Sequence, residues 1–398
     1  MMTRYPQNPV DVANCGDDGD TAAGFMSKRF KYEVQEKEPI AAFVCFGAND
    51  GGYTIYPDAD DTTKAQKISE ARNNLEKVIK GLKEEGVEDI TLLTPVTYDD
   101  RESFETTITN RLGYGDATAL IAVNVLALAE EYDLKVVDTN TITNAILEAN
   151  KDSGVEEIFQ TDRIHPNTRG HFVIASKIIE TLYGADSIVA SVDIDAHDLD
   201  FYAENADVSA VRAEDGALSY TYKPYSLPMG VDNAGYKAVH ERYGDYVNFT
   251  DSMNNEIIRI TNLADGDYTI SFDGVAIGQY SAQDLAEGIN IATNPLNPGQ
   301  IAAKEVIDML MTNVYNFQKV RVLEIVEGRL KNAGMFYDTT FEEQIDWLSK
   351  NDTYYMSNFK DCYPVKSQLI TLTNNVKKST HAKAQPTEHI VTVTPVAQ

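Results

Sequence analysis

Asp162-Arg163-Ile164-His165-Pro166 and, more than a hundred residues earlier, Phe46-Gly47-Ala48-Asn49-Asp50 decide how this chain is read. Pro166 disfavours the α region for the residue before it and starts a helix well, so His165 is held extended at a helix entrance. Asp162, three residues earlier across the turn, can accept from Nδ1–H and leave Nε2 free as a base. Asn49 and Asp50 end an apolar strand. There a side-chain amide can donate to an oxyanion, worth about 3 to 4 kcal/mol in acyl transfer, while Asp50 and Gly47 support the loop. Taken singly, each motif has a plainer reading: a surface Asp/His hydrogen bond, or simple turn chemistry. A third segment, Asn14-Cys15-Gly16-Asp17-Asp18-Gly19-Asp20-Thr21, opens a helix, and the Gly19 N–H would point at a cleft where negative charge is favoured. Its plainer reading is a turn with an N-cap at Asp20 or Thr21.

Outward from these motifs, residues 9 to 183 alternate strand and helix patterns. Val10 to Ala13, Ile40 to Phe46, Ile90 to Val96 and Leu134 to Val137 read as strands. Thr21 to Lys37, Thr62 to Glu85, Ala117 to Glu131 and Asn167 to Tyr183 read as helices. This alternation predicts an α/β domain with a parallel sheet covered on both faces and functional loops at the strands' carboxyl ends. Short strands and turns from Ser187 to Pro298 predict a small antiparallel β module. From Ile301 to Leu330 the spacing is helical, and after Asn375 the composition predicts a solvated tail, or one terminal strand at His389 to Val396. The expected organisation is an α/β domain over 1–185, a β module over 186–300, a helical region over 301–375 and a tail over 376–398.

Composition narrows the partners. With 34 basic and 62 acidic residues the net charge is −28, which repels phosphate backbones and anionic membrane surfaces. Nucleic acid is not expected as a partner on that ground. No apolar run is long enough to span a bilayer, and Met1 to Pro6 lacks the apolar core of a signal peptide. Localisation stays open, secretion or the cell surface included, and so does the oligomeric state. Cys15, Cys45 and Cys362 have no metal spacing, and Cys45 is expected inside a strand as a small hydrophobe. Asp58, Asp60 and Asp61 lack the glycine and glutamate of a calcium loop, so no metal is expected. His171, His197, His240, His381 and His389 are scattered without ligand spacing. Trp347, Tyr354 and Tyr355 suit either sugar stacking or packing under a C-terminal helix.

The three blocks, in this order and spacing, resemble the SGNH hydrolases, the GDSL esterase and lipase family. The resemblance covers residues 9 to 183 and implies a flavodoxin-like three-layer α/β/α sandwich. It also implies that His165 is the general base, Asp162 its partner, and that the Gly19 N–H and Asn49 side chain form the oxyanion hole, with no cofactor. The β module, with Leu227-Pro228 and Ala286 to Ala292, looks like the accessory region of some bacterial members. The family's first block is a Gly-Asp-Ser that carries the nucleophile at the end of the central strand. No Gly-Asp-Ser occurs in this sequence, and Ser27 is expected buried in the first helix. The expectation is therefore a nucleophilic serine upstream, the chain being truncated or begun at a late start codon. A second expectation lets His389 to Val393 fill the vacated strand position.

These expectations point to an SGNH/GDSL-type hydrolase of ester bonds, plausibly a carbohydrate O-acetyl or acyl esterase. The alternative is a non-catalytic protein on the same fold that binds a glycan or another protein.

Overall fold

The computed structural model describes residues 2–8, 10–106, 113–184, 188–230, 233–247 and 249–397. The expected domain boundary at 185–186 and its neighbour Ser187 lie outside the described residues. The first elements are α1 (Ala22–Lys28), a π-helical turn at Lys31–Gln35, β1 (Ala41–Cys45) and α2 (Asp61–Glu84). They are followed by β2 (Asp89–Leu93), α3 (Tyr114–Tyr132), β3 (Lys135–Val137), α4 (Thr139–Ala149) and α5 (Thr168–Tyr183). The strands form a parallel sheet in the order β1-β2-β3, with Val44 opposite Leu92 and Leu92 opposite Val136. Ala71, Leu75, Val78, Ile79 and Leu82 recur at helical spacing along α2 and bury that helix on Val44 and Leu92, beside Val125 and Leu128 of α3. Helices α4 and α5 cover the other face, which completes the expected three-layer sandwich.

The acidic run before α2 has a local role. Asp60 caps the helix, accepting from the Thr63 N–H at 2.7 Å. Helix α4, capped by Asp138, was not anticipated. Val10 to Ala13, expected as a strand, forms none, and Val10 and Val12 are exposed. A strand exists only through its ladder partners, and among the described residues none lies there. For the same reason β1 is an edge strand: Ile40 is 77% and Phe43 51% exposed, and Cys45, expected inside, is exposed too.

The chain continues through β4 (Ile188–Asp195), β5 (Phe201–Glu204), β6 (Ala206–Glu214), β7 (Ala217–Pro224), α6 (Asn233–Tyr243) and α7 (Phe249–Met253). Next come β8 (Asn255–Thr261), β9 (Asp267–Phe272), β10 (Val275–Ser281), α8 (Ala282–Glu287) and β11 (Ile289–Asn290). The C-terminal part holds α9 (Pro298–Thr312), α10 (Val314–Asn332), α11 (Phe341–Asn351), α12 (Thr353–Cys362), α13 (Lys366–Lys383) and β12 (His389–Pro395). The single helix expected over Ile301 to Leu330 is two, because Asn313 breaks it and its Nδ2 bonds the Met309 carbonyl.

The β module is two sheets, β10-β9-β12-β7-β6 and β11-β8-β4-β5, and the β4–β8 pair is parallel, so it is not purely antiparallel. Alternating inward residues, Ile258 and Ile260 from one sheet and Tyr220, Ile270, Val391 and Val393 from the other, fill the space between them. In place of a solvated tail α13 runs on to Lys383, whereas the terminal strand expected at His389 to Val396 forms as β12, between β7 and β9 in the middle of a sheet. That placement also removes β12 from the parallel sheet, where His389 to Val393 had been one candidate for the vacant position. Its alternation of Val391 and Val393, both fully buried, is satisfied by the sandwich core instead.

One buried carboxyl in the sandwich gives a pH test. Glu256 accepts from the Tyr222 hydroxyl at 2.8 Å and from Asn297 Nδ2 at 2.6 Å. Burial pushes its carboxyl above the ordinary range in spite of these donors. With the folded-state value raised, stability declines as pH climbs from the unfolded value through the folded one. Glu256→Gln should therefore gain in melting temperature relative to the parent as pH rises from 4 to 8. Thermal melts across that range check it, and a pH-independent difference refutes it.

Candidate active site

Gly19 and Asn49 come from separate loops that hydrogen bonds draw together. Asn49 Nδ2 donates to the Asp20 carbonyl at 3.3 Å. Asp50 accepts the Ala22 N–H at 2.9 Å through one oxygen and the Gly47 N–H at 3.0 Å through the other. Asp50 thus fastens the start of α1 to the end of β1. Burial pushes its carboxyl upward, against the pull of those two N–H groups. Gly47 has φ +129°, and a Cβ there would meet Ile121 Cγ2 at 2.8 Å, so only glycine fits.

The Asp17–Asp20 turn places Gly19 at φ +74° with open space where a Cβ would sit. Asp20 N–H closes the turn on the Asp17 carbonyl at 3.2 Å, and among the described residues the Gly19 N–H has no acceptor. Thr21 caps α1 through the Gly24 N–H, so the plainer N-cap reading also holds for this segment. The turn is braced from two sides. Arg29 grips Asp20 Oδ2 through two nitrogens at 2.8 and 2.6 Å and the Cys15 carbonyl at 2.8 Å. From the C-terminal helices, Arg329 reaches Asp17 at 2.8 Å and the Tyr355 hydroxyl donates to it at 2.9 Å. Arg321 joins Glu33 at 2.6 Å and the Gly16 carbonyl at 3.1 Å. Nothing in composition or periodicity linked α10 and α12 to this loop.

Asp162 and His165 take up the expected geometry. His165 Nδ1 lies 2.6 Å from Asp162 Oδ2, and the backbone N–H groups of Ile164 and His165 donate to Oδ1 at 3.2 and 3.0 Å. Burial alone would push the Asp162 carboxyl up, but these hydrogen bonds hold it below its usual range. The His165 side chain is 73% exposed, so Nε2 is open to a reactant. Pro166 bridges back to Phe159, and Asn167 caps α5.

Arg163, passed over in the sequence, fixes this turn. It has φ +71°, a strained value for a residue with a side chain. Its buried guanidinium donates to the carbonyls of Asp99 at 2.7 Å, Arg101 at 3.0 Å and Phe104. Its own carbonyl accepts the Asp99 N–H at 2.9 Å. An arginine between the acid and the histidine was the available signal, though its carbonyl partners have no sequence signature.

A tyrosine cluster links the His165 turn to the Asn49 loop. The Tyr114 hydroxyl donates to the Ala48 carbonyl at 2.7 Å. Its ring packs edge-on against Tyr53, Tyr56 and Tyr98 with centroids 5.3, 5.3 and 6.1 Å away. Ile164, beside His165, packs on the same cluster. Ser27, expected buried, is exposed, and its Oγ is spent on the Ala23 carbonyl at 2.9 Å and the Gly24 carbonyl at 3.2 Å. It is a helix-bonded serine, not a poised nucleophile.

Residues 3–172 match the model of the GDSL-like Lipase/Acylhydrolase family. The match supports ester hydrolysis as the reaction class and the SGNH resemblance as its framework. No curated protein matches the chain. Among solved structures, a gut microbial diltiazem-metabolizing enzyme is 22% identical over 99% of this chain and 92% of its own, with TM-score 0.85. That likeness extends the shared fold beyond the GDSL-like domain to the sandwich and the C-terminal helices. Axe2, an acetylxylan esterase from Geobacillus stearothermophilus, is 22% identical over 45% of this chain and 75% of its own, with TM-score 0.36.

Proposed function

We propose that the protein hydrolyses carboxylic esters carried on a carbohydrate, O-acetyl or short acyl groups, by the serine mechanism of SGNH hydrolases. The reading rests above all on the 2.6 Å contact between Asp162 and an imidazole whose far nitrogen is open. A serine hydroxyl attacks the ester carbonyl as His165 Nε2 takes its proton. The Gly19 N–H and Asn49 Nδ2 receive the oxyanion. Collapse expels the alkoxide, which His165 protonates, and water then repeats the cycle on the acyl-serine. Asp162 keeps the imidazole in the tautomer this requires. No step calls on a metal.

The serine is assigned to a strand that pairs with the free edge of β1. An exposed apolar edge with unused N–H and C=O groups is a template for another strand, and proteins cover such edges. Ile40 and Phe43 mark the place. A strand there would end at the same rim as Asn49, since parallel strands present their carboxyl ends together. The test extends the protein ahead of Met1 by a connector and an apolar strand ending in Gly-Asp-Ser. The extended protein should hydrolyse p-nitrophenyl acetate, and changing the added serine to alanine should abolish this. An extended protein that folds, binds acetylated sugar and hydrolyses nothing would favour the binding-protein reading.

A further inference from the structure

Tyr354 is a large aromatic ring left in solvent, 70% exposed, at the start of α12. It has two contacts. Its hydroxyl lies 3.3 Å from Asp18 Oδ2, and its ring stands edge-on to the buried Tyr355 ring with centroids 4.6 Å apart. Tyr355 in turn bonds Asp17, and Arg329 ties Asp17 to Asp352, the residue before α12. An exposed tyrosine thus stands against a carboxylate one residue from Gly19. A solvated surface tyrosine needs no such bracing.

We propose that Tyr354 and Asp18 form a stacking wall that receives the alcohol part of the ester as a neutral, hydroxyl-bearing ring, a pyranose. The proposal deepens the esterase reading and rests on it. A solvent-exposed aromatic ring suits the C–H groups of a sugar ring. The exposed Asp18 carboxylate beside it accepts from ring hydroxyls. A quaternary or tertiary ammonium is held instead by a cage of several rings, and here the second ring, Tyr355, is buried. Anionic substrates are disfavoured by Asp18 and by the net charge of −28. The wall also gives the C-terminal helices a place in the site, as carriers of a specificity-determining residue.

Binding needs no nucleophile, so the test uses the 398-residue chain as it is. Mono-O-acetyl methyl β-D-glucopyranoside is titrated by NMR, with glyceryl monoacetate as a ringless control and acetylcholine as a cationic one. The expected result is saturation transfer to the pyranose ring protons and a dissociation constant that weakens roughly tenfold in Tyr354→Ala, the loss of one stacking contact. Tyr354→Trp should restore it. Equal binding by Tyr354→Ala, no pyranoside binding, or tighter binding of either control overturns the wall. Hydrolysis of p-nitrophenyl acetate by the strand-extended protein is a separate readout. Its absence sinks the esterase reading whatever the sugar titration gives.

Discussion

His165→Ala in the strand-extended protein is expected to lower kcat for p-nitrophenyl acetate by about 10⁴-fold or more while leaving KM within a few-fold. The imidazole is exposed and supports little of the fold: its ring contact with Asp162 lies at the surface, and Asp162 keeps the Ile164 and His165 backbone N–H groups after the substitution. Loss of activity can therefore be separated from loss of structure by circular dichroism and a melting curve. What remains should come from the Gly19 and Asn49 donors. Asp162→Asn should fall between the two, since it permits the wrong tautomer without removing the base. A His165→Ala protein with near-parental kcat would remove the assigned base, and with it the proposed mechanism.

The largest stability loss is expected at Glu157. Its side chain is fully buried, and its carboxylate accepts from Arg242 Nε at 2.6 Å, Arg242 Nη2, the Tyr243 hydroxyl at 2.5 Å and Ser153 Oγ at 2.7 Å. Burial opposes ionisation, yet these donors, Arg242 first, draw the carboxyl down to about 2. Glu157→Ala strands the buried Tyr243 hydroxyl and leaves the more exposed Arg242 without its carboxylate, a loss of about 1–3 kcal/mol. The sign of the pH dependence follows from the depressed value. The ion pair's contribution is complete above the unfolded carboxyl range and is lost as pH falls toward about 2. The parent and Glu157→Ala should thus differ most at neutral pH and converge in acid. Urea unfolding at pH 7 and pH 3 measures both, and a gap under about 1 kcal/mol at pH 7 would show that the network is dispensable.

Glu157 also shows what a sequence hides. The alternation of strands and helices through residue 183 was readable because apolar spacing reports which face of an element is buried, and Asp162 with His165 was readable because the proline fixes a local geometry. Glu157, Arg163 and Tyr114 were not, since their partners lie at Arg242, Asp99 and Ala48, and nothing in one segment names a distant carbonyl or guanidinium. Cys45 and Val10 were misread for a related reason. Apolar strand residues imply burial only when a neighbouring strand or helix covers them, and among the described residues no strand covers the outer edge of β1. Tyr354 has two readings in the sequence, and its exposure together with its bond to Asp18 separates it from buried Tyr355.

The position of β12 carries a consequence for biosynthesis. Because it lies between β7 and β9, a nascent chain that has already made both of those strands still presents two raw inner edges until residue 395 emerges. More than a hundred residues, β10, β11 and the C-terminal helices among them, must be synthesised in that interval. The sandwich is therefore a late-closing unit, vulnerable to premature pairing with other copies, and a shortened product ending before His389 should collect in inclusion bodies rather than fold as a smaller version of the same molecule.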